Sequence, residues 1–208
     1  MLEVKHLTKR YEQRDVVSDV SLILKERERV SIQGESGCGK TTLLQMLAGL
    51  ILPDEGEILL EGEKLPEEPY QRQIAMVFQD SLLWEHMTVE ENILFGSPRK
   101  GKEERKQQAC TLSRALDIEE LLHRYPSQIS GGQARRVAIA RAIACEKKIL
   151  LLDEPFSNLD KEGRVRTLEA VWELTKGKCA LLFVTHSRQE AETLCTRHLY
   201  MEEGILKG

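Results

Sequence analysis

The chain has 208 residues, of which 41% are hydrophobic and 31% are charged, and its formal net charge is -4. This length and apolar content predict one α/β domain with its own core and leave no room for a second full domain. Acidic and basic residues are mixed along the chain, which argues against a nucleic-acid partner, and the charged stretch 99–106 reads as a solvated loop or helix start.

Alternating apolar residues predict an antiparallel sheet near the N-terminus. They are Leu2 and Val4, then Val20, Leu22 and Leu24 after a polar turn at 12–15, and the same alternation returns at 57–61. Tyr11, which we place in the turn before the second strand, either stacks on an adenine ring or is a surface aromatic.

Four later segments are almost continuously apolar, which is typical of parallel strands covered on both faces. These segments are Val30–Ile32, Ile74–Phe78, Ile149–Leu152 and Ala180–Val184.

A glycine-rich loop follows the first parallel strand and fits the pattern G-x-x-x-x-G-K-[ST]. Its residues are Gly34, Glu35, Ser36, Gly37, Cys38, Gly39, Lys40 and Thr41, and Thr42 is counted with them as nucleotide-binding. Glycines let backbone N–H groups curl around a polyphosphate, and a helix N-terminus adds a favourable dipole. Lys40 would reach the β- and γ-phosphates, while Thr41 would offer its hydroxyl to Mg²⁺. The helix that follows is predicted to carry Leu43, Leu44, Leu47 and Leu50 on its apolar face, with Pro53 as a stop signal.

Cys38 lies inside this loop, although the pattern does not require a cysteine. A thiol at a helix N-terminus beside Lys40 is expected to be reactive. Alkylation should then abolish nucleotide binding, and ATP should protect. The alternative is a small residue that only fills space.

Gln79 follows the second parallel strand and would present its amide to Mg²⁺ and the attacking water, although taken alone it is better explained as an exposed loop residue. Strand signals then vanish between Thr88 and Tyr125, where apolar residues recur at helical spacing. We therefore predict an inserted helical subdomain at about 85–128.

A second glycine-containing turn begins a helix that runs through Val137 and Ala144. The turn consists of Ser130, Gly131, Gly132 and Gln133. Its S-x-x-Q spacing satisfies a capping box, so an ordinary N-cap is one explanation. However, two glycines in a first helical turn lower helix propensity and expose backbone N–H groups as an anion site. A second phosphate site would be redundant unless it serves the nucleotide of another subunit.

Two carboxylates follow the third parallel strand, and a histidine follows the fourth. Neighbouring side chains of an extended chain point in opposite directions, so Asp153 and Glu154 have different roles. Asp153 is predicted to hold Mg²⁺ directly or through water, and Glu154 to act as general base. His186 should emerge at the same sheet edge as Asp153, where it would contact the γ-phosphate and orient the water or Glu154.

Together these elements resemble the nucleotide-binding subunits of ABC transporters over essentially the whole chain. The resemblance is carried by the loop at Gly34, Gln79, Ile129–Gln133, Asp153–Glu154, Ser157–Asp160 and His186. Ile129 stands where the family usually has leucine. The resemblance implies a P-loop NTPase fold with a mostly parallel sheet, an N-terminal antiparallel β subdomain and an inserted helical subdomain.

The resemblance also implies a mechanism. Two copies would pack head to tail, so that each ATP lies between the phosphate loop of one copy and the Ser130 turn of the other. Ser130 and Gly132 would contact the γ-phosphate, Tyr11 would stack on adenine and Asp160 would communicate across the interface. The chain is then an ATPase subunit that uses ATP and Mg²⁺.

Among transporters of this family, the chain resembles importers of small polar solutes. This implies permease subunits and a solute-binding protein as partners, and a peripheral position at the cytoplasmic face of the membrane. Leu83 and Trp84 either line the groove that accepts the permease or belong to the subdomain core. The alternatives are a lipoprotein-release or macrolide-export ATPase and, in a different class, a soluble ATPase acting on ribosomes or DNA. A P-loop kinase would not need the Ser130 turn.

The cysteines and the chain ends support the same interpretation. The five cysteines are odd in number and form no C-x-x-C pair, which favours a reducing cytoplasm over disulfides or a zinc site. The N-terminus lacks an apolar leader, and no apolar run approaches the ~18 residues that a bilayer requires. Since the chain stops soon after Gly204, a C-terminal regulatory domain is expected to be absent.

Overall fold

The computed structural model describes residues 1–12, 14–98 and 101–208, so that two residues of the charged stretch 99–106 lie outside it. The strands are β1 (Leu2–Tyr11), β2 (Arg14–Leu24), β3 (Arg29–Gln33), β4 (Glu55–Leu60), β5 (Glu63–Lys64), β6 (Ile74–Val77), β7 (Ile149–Asp153), β8 (Ala180–Val184), β9 (Arg197–Glu202) and β10 (Ile205–Lys207). The helices are α1 (Lys40–Ala48), α2 (Val89–Leu94), α3 (Lys102–Ala115), α4 (Gly131–Ala144), α5 (Lys161–Thr175) and α6 (Arg188–Leu194). Short 3₁₀ turns lie at Pro69–Gln71, Glu119–Leu121 and Pro126–Gln128.

The chain forms two compact units. The first unit consists of Met1–Ile74, Lys148–Asp153 and Gly177–Gly208, and the second of Ala75–Lys147 and Glu154–Lys176. The first unit holds the N-terminal sheet and most of the parallel sheet, whereas α2, α3, α4 and α5 belong to the second. Among the described residues, no helix combines the length and the apolar character that a bilayer crossing requires.

The N-terminal sheet is antiparallel, as predicted, with the strand order β2-β1-β4-β5. Leu2 lies opposite Leu24 on one side and Leu60 on the other. The inward-facing residues of the predicted alternation, such as Val4 and Leu22, are buried. Period-two burial on one face is what a half-buried sheet produces, so the sequence pattern identified this sheet correctly.

The main sheet of the first unit runs in the order β10-β9-β3-β8-β7. Strand β3 pairs in parallel with β8 and β9, and β7 pairs in parallel with β8. Every residue of β7 and β8 is buried, which explains their continuous apolar sequence. Strands β9 and β10 form an antiparallel hairpin that the sequence pattern did not predict. Its turn residues Glu203 and Gly204 both have positive φ values, as the favoured two-residue hairpin turns require.

Helix α1 is shorter than predicted, and this corrects the predicted apolar face. The helix ends at Ala48 because Gly49 adopts a left-handed conformation, with φ 82°, and its N–H donates to the carbonyl of Met46 at 3.1 Å. Leu50 therefore lies outside the helix and is 47% exposed, whereas Leu43 and Leu44 are buried as expected.

The second unit is helical over most of its length. Within the predicted subdomain at 85–128, the described elements are α2, α3 and two 3₁₀ turns. Helix α4 packs against α2, α3 and α5, so it is the central element of this unit. Because α4 begins at the Ser130 turn, that turn is attached to the helix against which the other helices of its unit pack.

Candidate functional site

The phosphate loop of the first unit has a backbone that only glycine can supply at two positions. Gly34 has φ 151° and Gly39 has φ 108°. A Cβ atom would lie 2.1 Å from the carbonyl oxygen of Met201 at the first position, and 2.2 Å from that of Val16 at the second. The loop is therefore packed directly against the backbone of its own unit, which leaves no room for a side chain at these two positions.

Lys40 helps to hold this shape, and it is only 5% exposed. Its Nζ donates to the carbonyl oxygens of Gly34 (2.9 Å) and Glu35 (2.6 Å) and lies 3.5 Å from Sγ of Cys38. The two oxygen partners are neutral. A polyphosphate would be a stronger partner for the ammonium group, because hydrogen bonds between two ionised groups are stronger than those to neutral ones.

The loop ends at the N-terminus of α1, where the N-cap residue Gly39 offers no side chain to the first-turn N–H groups. The first N–H groups of a helix have no intrahelical partner, and an anion satisfies them well. Thr41 is exposed in this first turn and Thr42 is half-buried. The loop, the lysine and the open helix start thus fit the phosphates of ATP.

The strand order brings two further predicted groups to the edge where the loop begins. Strands β3, β7 and β8 run in the same direction, and the register places Val184 beside both Ile32 and Asp153. Asp153 is buried at the end of β7, while His186 is exposed two residues beyond the end of β8. The structure therefore places both at the sheet edge that carries the phosphate loop, as the sequence predicted.

The segment that carries His186 is fixed by bonds that sequence reasoning missed. The Thr185 hydroxyl donates to Oε2 of Glu190 at 2.5 Å and accepts the Ser187 N–H at 3.0 Å. Ser187 also caps α6 by accepting the N–H of Glu190 at 3.3 Å. The backbone is thus tied on both sides of the histidine. The S-x-x-E spacing of Ser187 and Glu190 is a capping signal that was available in the sequence.

The hairpin β9–β10 supports the phosphate loop from within the first unit. The N–H of Gly204 donates to the carbonyl of Cys38 at 3.0 Å, and the carbonyl of Gly204 accepts the N–H of Ser18 at 2.9 Å. Met201 of the same hairpin supplies the carbonyl that excludes a side chain at Gly34. These are contacts between residues far apart in the sequence, so no local pattern indicated them.

Tyr11 is placed differently from the prediction. It is the last residue of β1 and lies opposite Arg14, so it belongs to a strand end and not to the turn. The strand continues because β1 and β2 remain paired up to this residue. The ring is exposed, and Nζ of Lys9 lies 5.6 Å from its centroid. Its role in stacking on adenine stays a prediction.

In the second unit, the predicted capping box at the start of α4 is confirmed. The Ser130 Oγ accepts the N–H of Gln133 at 3.2 Å, and Oε1 of Gln133 accepts the N–H of Ser130 at 2.8 Å. An added Cβ on Gly131 would meet no described atom within 4 Å, whereas one on Gly132 would lie 3.3 Å from Cδ2 of Leu159. Packing within the described chain therefore does not require glycine at position 131.

The remaining predicted residues also lie in the second unit. Gln79 is exposed two residues beyond the end of β6. Glu154 is half-buried and has φ 44°, a left-handed conformation that is uncommon for a residue with a side chain. Asp160 caps α5 by accepting the N–H of Gly163 at 3.2 Å, so it has a structural role besides its predicted one. The functional roles of these three residues stay predictions.

Trp84 lies on the surface of the second unit and is 45% exposed, which does not fit a core residue. Its ring lies 5.3 Å from that of Phe95, and the buried Asn92 fixes its backbone by bonding both its N–H (2.9 Å) and its carbonyl (3.1 Å). Leu83 is half-buried. An open groove of about 800 Å³, lined in part by His86, Phe95 and Arg105, lies in the same unit.

The chemistry of the site allows Mg²⁺ to be held together with phosphate oxygens and water. Among the described residues, no group of three or more His, Cys, Asp and Glu side chains is suited to hold a metal ion. Mg²⁺ in nucleotide sites usually takes one or two carboxylates and keeps several waters. The exposed hydroxyl of Thr41 and the buried carboxylate of Asp153 fit that donor set.

Comparison with known proteins identifies related chains. A family model described as ABC transporter matches residues 17–157. The putrescine transport ATP-binding protein PotG of Escherichia coli (strain K12) is 43% identical over 98% of this chain. The Fe(3+) ions import ATP-binding protein FbpC 1 of Pectobacterium atrosepticum is 41% identical, also over 98% of this chain. The chain spans 55% and 59% of the length of these two relatives.

A solved structure is similar over the full length of the chain. It is the dimeric structure of a post-hydrolysis state of the ATP-binding cassette MJ0796 bound to ADP and Pi, with a TM-score of 0.89 and 31% sequence identity. The match covers 100% of this chain and 97% of that chain. The likeness confirms the predicted α/β fold, with a mostly parallel sheet, an N-terminal antiparallel sheet and a helical part.

Proposed function

This chain belongs to the ABC transporter family of ATP-binding proteins, and we propose that it binds and hydrolyses ATP to energise the transport of a small solute. The observation that carries the proposal is the phosphate loop. Gly34 and Gly39 give it a backbone shape that excludes side chains, and among the described residues the oxygen partners of the buried Lys40 are two neutral carbonyls. Such a loop before an uncapped helix is suited to a polyphosphate.

The predicted residues fall into phosphate contacts, Mg²⁺ ligands and groups that act on the attacking water. Lys40 and the first N–H groups of α1 bind the phosphates, and Thr41, Asp153 and Gln79 would hold Mg²⁺, which supplies positive charge against the phosphate oxygens. Glu154 accepts a proton from the attacking water, and His186 orients that water beside the γ-phosphate. Most of the rate enhancement would come from positioning and electrostatic stabilisation, as in other phosphoryl transfers.

We further propose that two copies of the chain enclose ATP. The Ser130 hydroxyl uses an acceptor lone pair to cap α4, so its hydrogen can still be donated to a γ-phosphate of the opposite copy. The open space at Gly131 leaves room for that phosphate, and Asp160 lies at the N-terminus of the next helix of the same unit. A similar chain has been solved as a dimer bound to ADP and Pi, which supports this arrangement.

Import is the favoured direction. The relatives at 43% and 41% identity are named as a putrescine transport protein and an Fe(3+) import protein. These names favour import over the lipoprotein-release and macrolide-export alternatives. The corresponding partners are permease subunits and a solute-binding protein, and the chain would lie at the cytoplasmic face of the membrane through its permease. The exposed Trp84 and the neighbouring groove offer a surface for the permease.

Nucleotide binding is tested by replacing the lysine of the phosphate loop. Lys40→Ala removes the ammonium group, so ATP affinity measured by calorimetry should fall by at least about tenfold because charge-assisted phosphate contacts are lost. Lys64→Ala changes an exposed lysine of the same unit and should leave affinity unchanged. Equal affinity of the wild-type and Lys40→Ala proteins would contradict the proposed phosphate site.

Coupling to a permease is tested at Trp84. Trp84→Ala should reduce ATPase stimulation and solute uptake in membranes that contain the full system, while ATP affinity of the isolated chain stays the same. Tyr70→Ala is a suitable control, because Tyr70 is an exposed aromatic residue of the other unit. Full uptake by the Trp84→Ala system would dismiss this surface as the permease site.

A further inference from the structure

A fully buried arginine lies in the helix that begins at the Ser130 turn. Arg135 is on α4, where most of the other buried residues, such as Val137 and Ile139, are apolar. Burying a charge is expensive unless the group is well hydrogen-bonded, so a buried guanidinium on such a helix needs specific partners.

Three carbonyl oxygens from two separate segments accept hydrogen bonds from this side chain. Its Nε donates to Pro155 at 2.7 Å, its Nη2 donates to Glu154 at 2.6 Å and its Nη1 donates to Phe78. Each nitrogen of the guanidinium thus serves a different peptide group. The segments are the turn that carries the predicted general base and the residue directly before Gln79.

The Glu154 turn depends on such bonds for its shape. Its left-handed backbone, with φ 44°, is held at the carbonyl by Arg135 and by the N–H and hydroxyl of Ser157, at 3.3 Å and 3.1 Å. Because the direction of a side chain follows from its backbone conformation, a shift of this turn would move the carboxylate. Arg135 therefore holds the turn whose backbone conformation sets the direction of the Glu154 side chain.

A second arginine of α4 holds the other side of the Gln79 loop. Arg141 donates to the carbonyls of Leu82 at 2.9 Å and Ser81 at 3.2 Å. Burial lowers the pKa of Arg141 below the usual arginine value, as expected for a side chain that gives up solvent for these carbonyls. The loop from Phe78 to Leu82 is thus tied to one helix at both ends.

We propose that Arg135 and Arg141 are positioning residues for the reaction, with Arg135 aiming both Glu154 and Gln79 and Arg141 completing the support of the Gln79 loop. The proposal deepens the proposed ATPase function and rests on it. The bonds described above for both arginines run to backbone carbonyls. Their effect is to keep the base and the amide in place on the helix that also carries the Ser130 turn.

Geometry, and not charge alone, is what the guanidinium contributes. A lysine keeps the positive charge, but its single ammonium group cannot supply the planar fork that reaches three separated carbonyls. Arg135→Lys is therefore the informative variant. Arg136→Lys is the matched control, since Arg136 also donates to carbonyls, those of Leu116 and Asp117, which border neither predicted catalytic group.

The first measurement is steady-state hydrolysis with thermal unfolding as a fold check. For Arg135→Lys we expect kcat to fall roughly ten- to a hundredfold, with KM for ATP changed by less than about twofold, because small displacements of reacting groups slow chemistry without removing binding contacts. Arg136→Lys should keep kcat within about twofold of the wild type. A folded Arg135→Lys protein with wild-type kcat, or an equal loss in Arg136→Lys, would overturn the proposal.

If Arg135→Lys does not fold, Arg141→Lys tests the proposal. The half-buried Arg141 donates to two described carbonyls, so its replacement should disturb folding less. Its kcat should fall about three- to tenfold at unchanged KM, with more Mg²⁺ needed for half-maximal rate. An unchanged kcat and Mg²⁺ requirement would then overturn the assignment.

Hydrogen–deuterium exchange separates this proposal from the proposed function. The arginine variants should exchange faster at 78–82, and Arg135→Lys also at 154–158, whereas Arg136→Lys should do so near 116–118. Unchanged exchange at 78–82 would count against positioning whatever the activity. If the wild-type protein hydrolyses no ATP, the proposed function is contradicted. The exchange data would still show whether the arginines hold the loop at 78–82.

Discussion

The two helix starts that carry phosphate-binding signals are built in opposite ways. At α1, the N-cap residue Gly39 has φ 108° and no side chain, and the loop before it is closed by the backbone of its own unit. At α4, the Ser130 side chain accepts the N–H of Gln133 and the Gln133 side chain accepts the N–H of Ser130, and the space around Gly131 is open. The loop before α1 is packed against the backbone of its own unit, whereas the turn before α4 has a glycine that no described neighbour requires.

This difference supports different roles for the two sites, one binding phosphate within its own chain and the other contacting the nucleotide of a second copy. We expect the loop before α1, whose glycines are required by the packing of its own unit, to bind phosphate within one chain. Open space around Gly131 is explained if a ligand from outside the chain approaches it. In the proposed dimer, that ligand is the nucleotide bound to the second copy. Substitutions at Gly39 and Gly131 should therefore have different effects.

The largest effect is expected when the chemistry is removed and both phosphate sites are kept. Glu154→Gln should slow hydrolysis about 10²–10⁴-fold, since a general base contributes on that order. ATP affinity should change by less than about twofold, because the phosphate contacts survive. Phosphate release and calorimetry measure the two quantities. Glu162→Gln, at an exposed position of α5, is the control, and undiminished hydrolysis by Glu154→Gln would refute the assignment of the base.

Gly131→Ala tests the open site directly. Alanine has space in the described chain and favours the helix by about 0.5–1 kcal/mol, so unfolding should require at least as much denaturant as for the wild type. Hydrolysis should nevertheless fall roughly tenfold or more, because the added methyl group occupies the path of the approaching phosphate. A stable variant with full activity would show that Gly131 faces no ligand.

Gly39→Ala should have the opposite signature, a loss of folding stability. The left-handed backbone and the carbonyl of Val16 leave no room for a Cβ atom, and we expect a decrease in the free energy of unfolding of about 1–3 kcal/mol. Gly37→Ala is the matched control, because its φ is 79° but no described atom lies within 4 Å of an added Cβ. Equal denaturation midpoints for the two variants would break the argument that α1 is closed by its own unit.

The smallest effect concerns the reactivity of Cys38 in the phosphate loop compared with that of three other cysteines. Burial raises the pKa of Cys145 and Cys179, and raises that of Cys195 to about 12, so these thiols should react slowly near neutral pH. Cys38 should be alkylated faster than these three, and bound ATP should slow its modification. Mass spectrometry of labelled peptides measures this, with Cys38→Ser as the control. Labelling of Cys38 at the same rate with and without ATP would remove it from the nucleotide site.

Much of the fold was readable from the sequence because local patterns determine it. The alternation at Leu2 and Val4 identified the antiparallel sheet, and the apolar runs such as Ile149–Leu152 identified the parallel strands. The end of α1 was mispredicted because the left-handed Gly49 outweighs the apolar spacing that includes Leu50. The hairpin β9–β10 was not predicted from the sequence, because the burial of its residues depends on strands that are distant in the sequence, such as β3.

The candidate site was predictable only where a motif lies in a continuous stretch. The glycine-rich loop before α1 and the Ser130 cap follow from spacing, and both have the predicted local structure, whereas phosphate binding by the loop stays a prediction. The hydrogen bonds that hold the segments around the candidate site in place were not predictable. Arg135 joins carbonyls that are separated by 20 and 57 residues from it, and nothing in a local pattern distinguishes it from the neighbouring Arg136.

The central claim is that one nucleotide is held by two copies of the chain. Sedimentation velocity of the Glu154→Gln protein with ATP and Mg²⁺ tests it most directly, with Gly131→Ala added to the same protein as the control. We predict a dimer that forms only with ATP and that the additional Gly131→Ala change prevents. A protein that binds ATP yet sediments as a monomer at high concentration, or a dimer unaffected by Gly131→Ala, would contradict it.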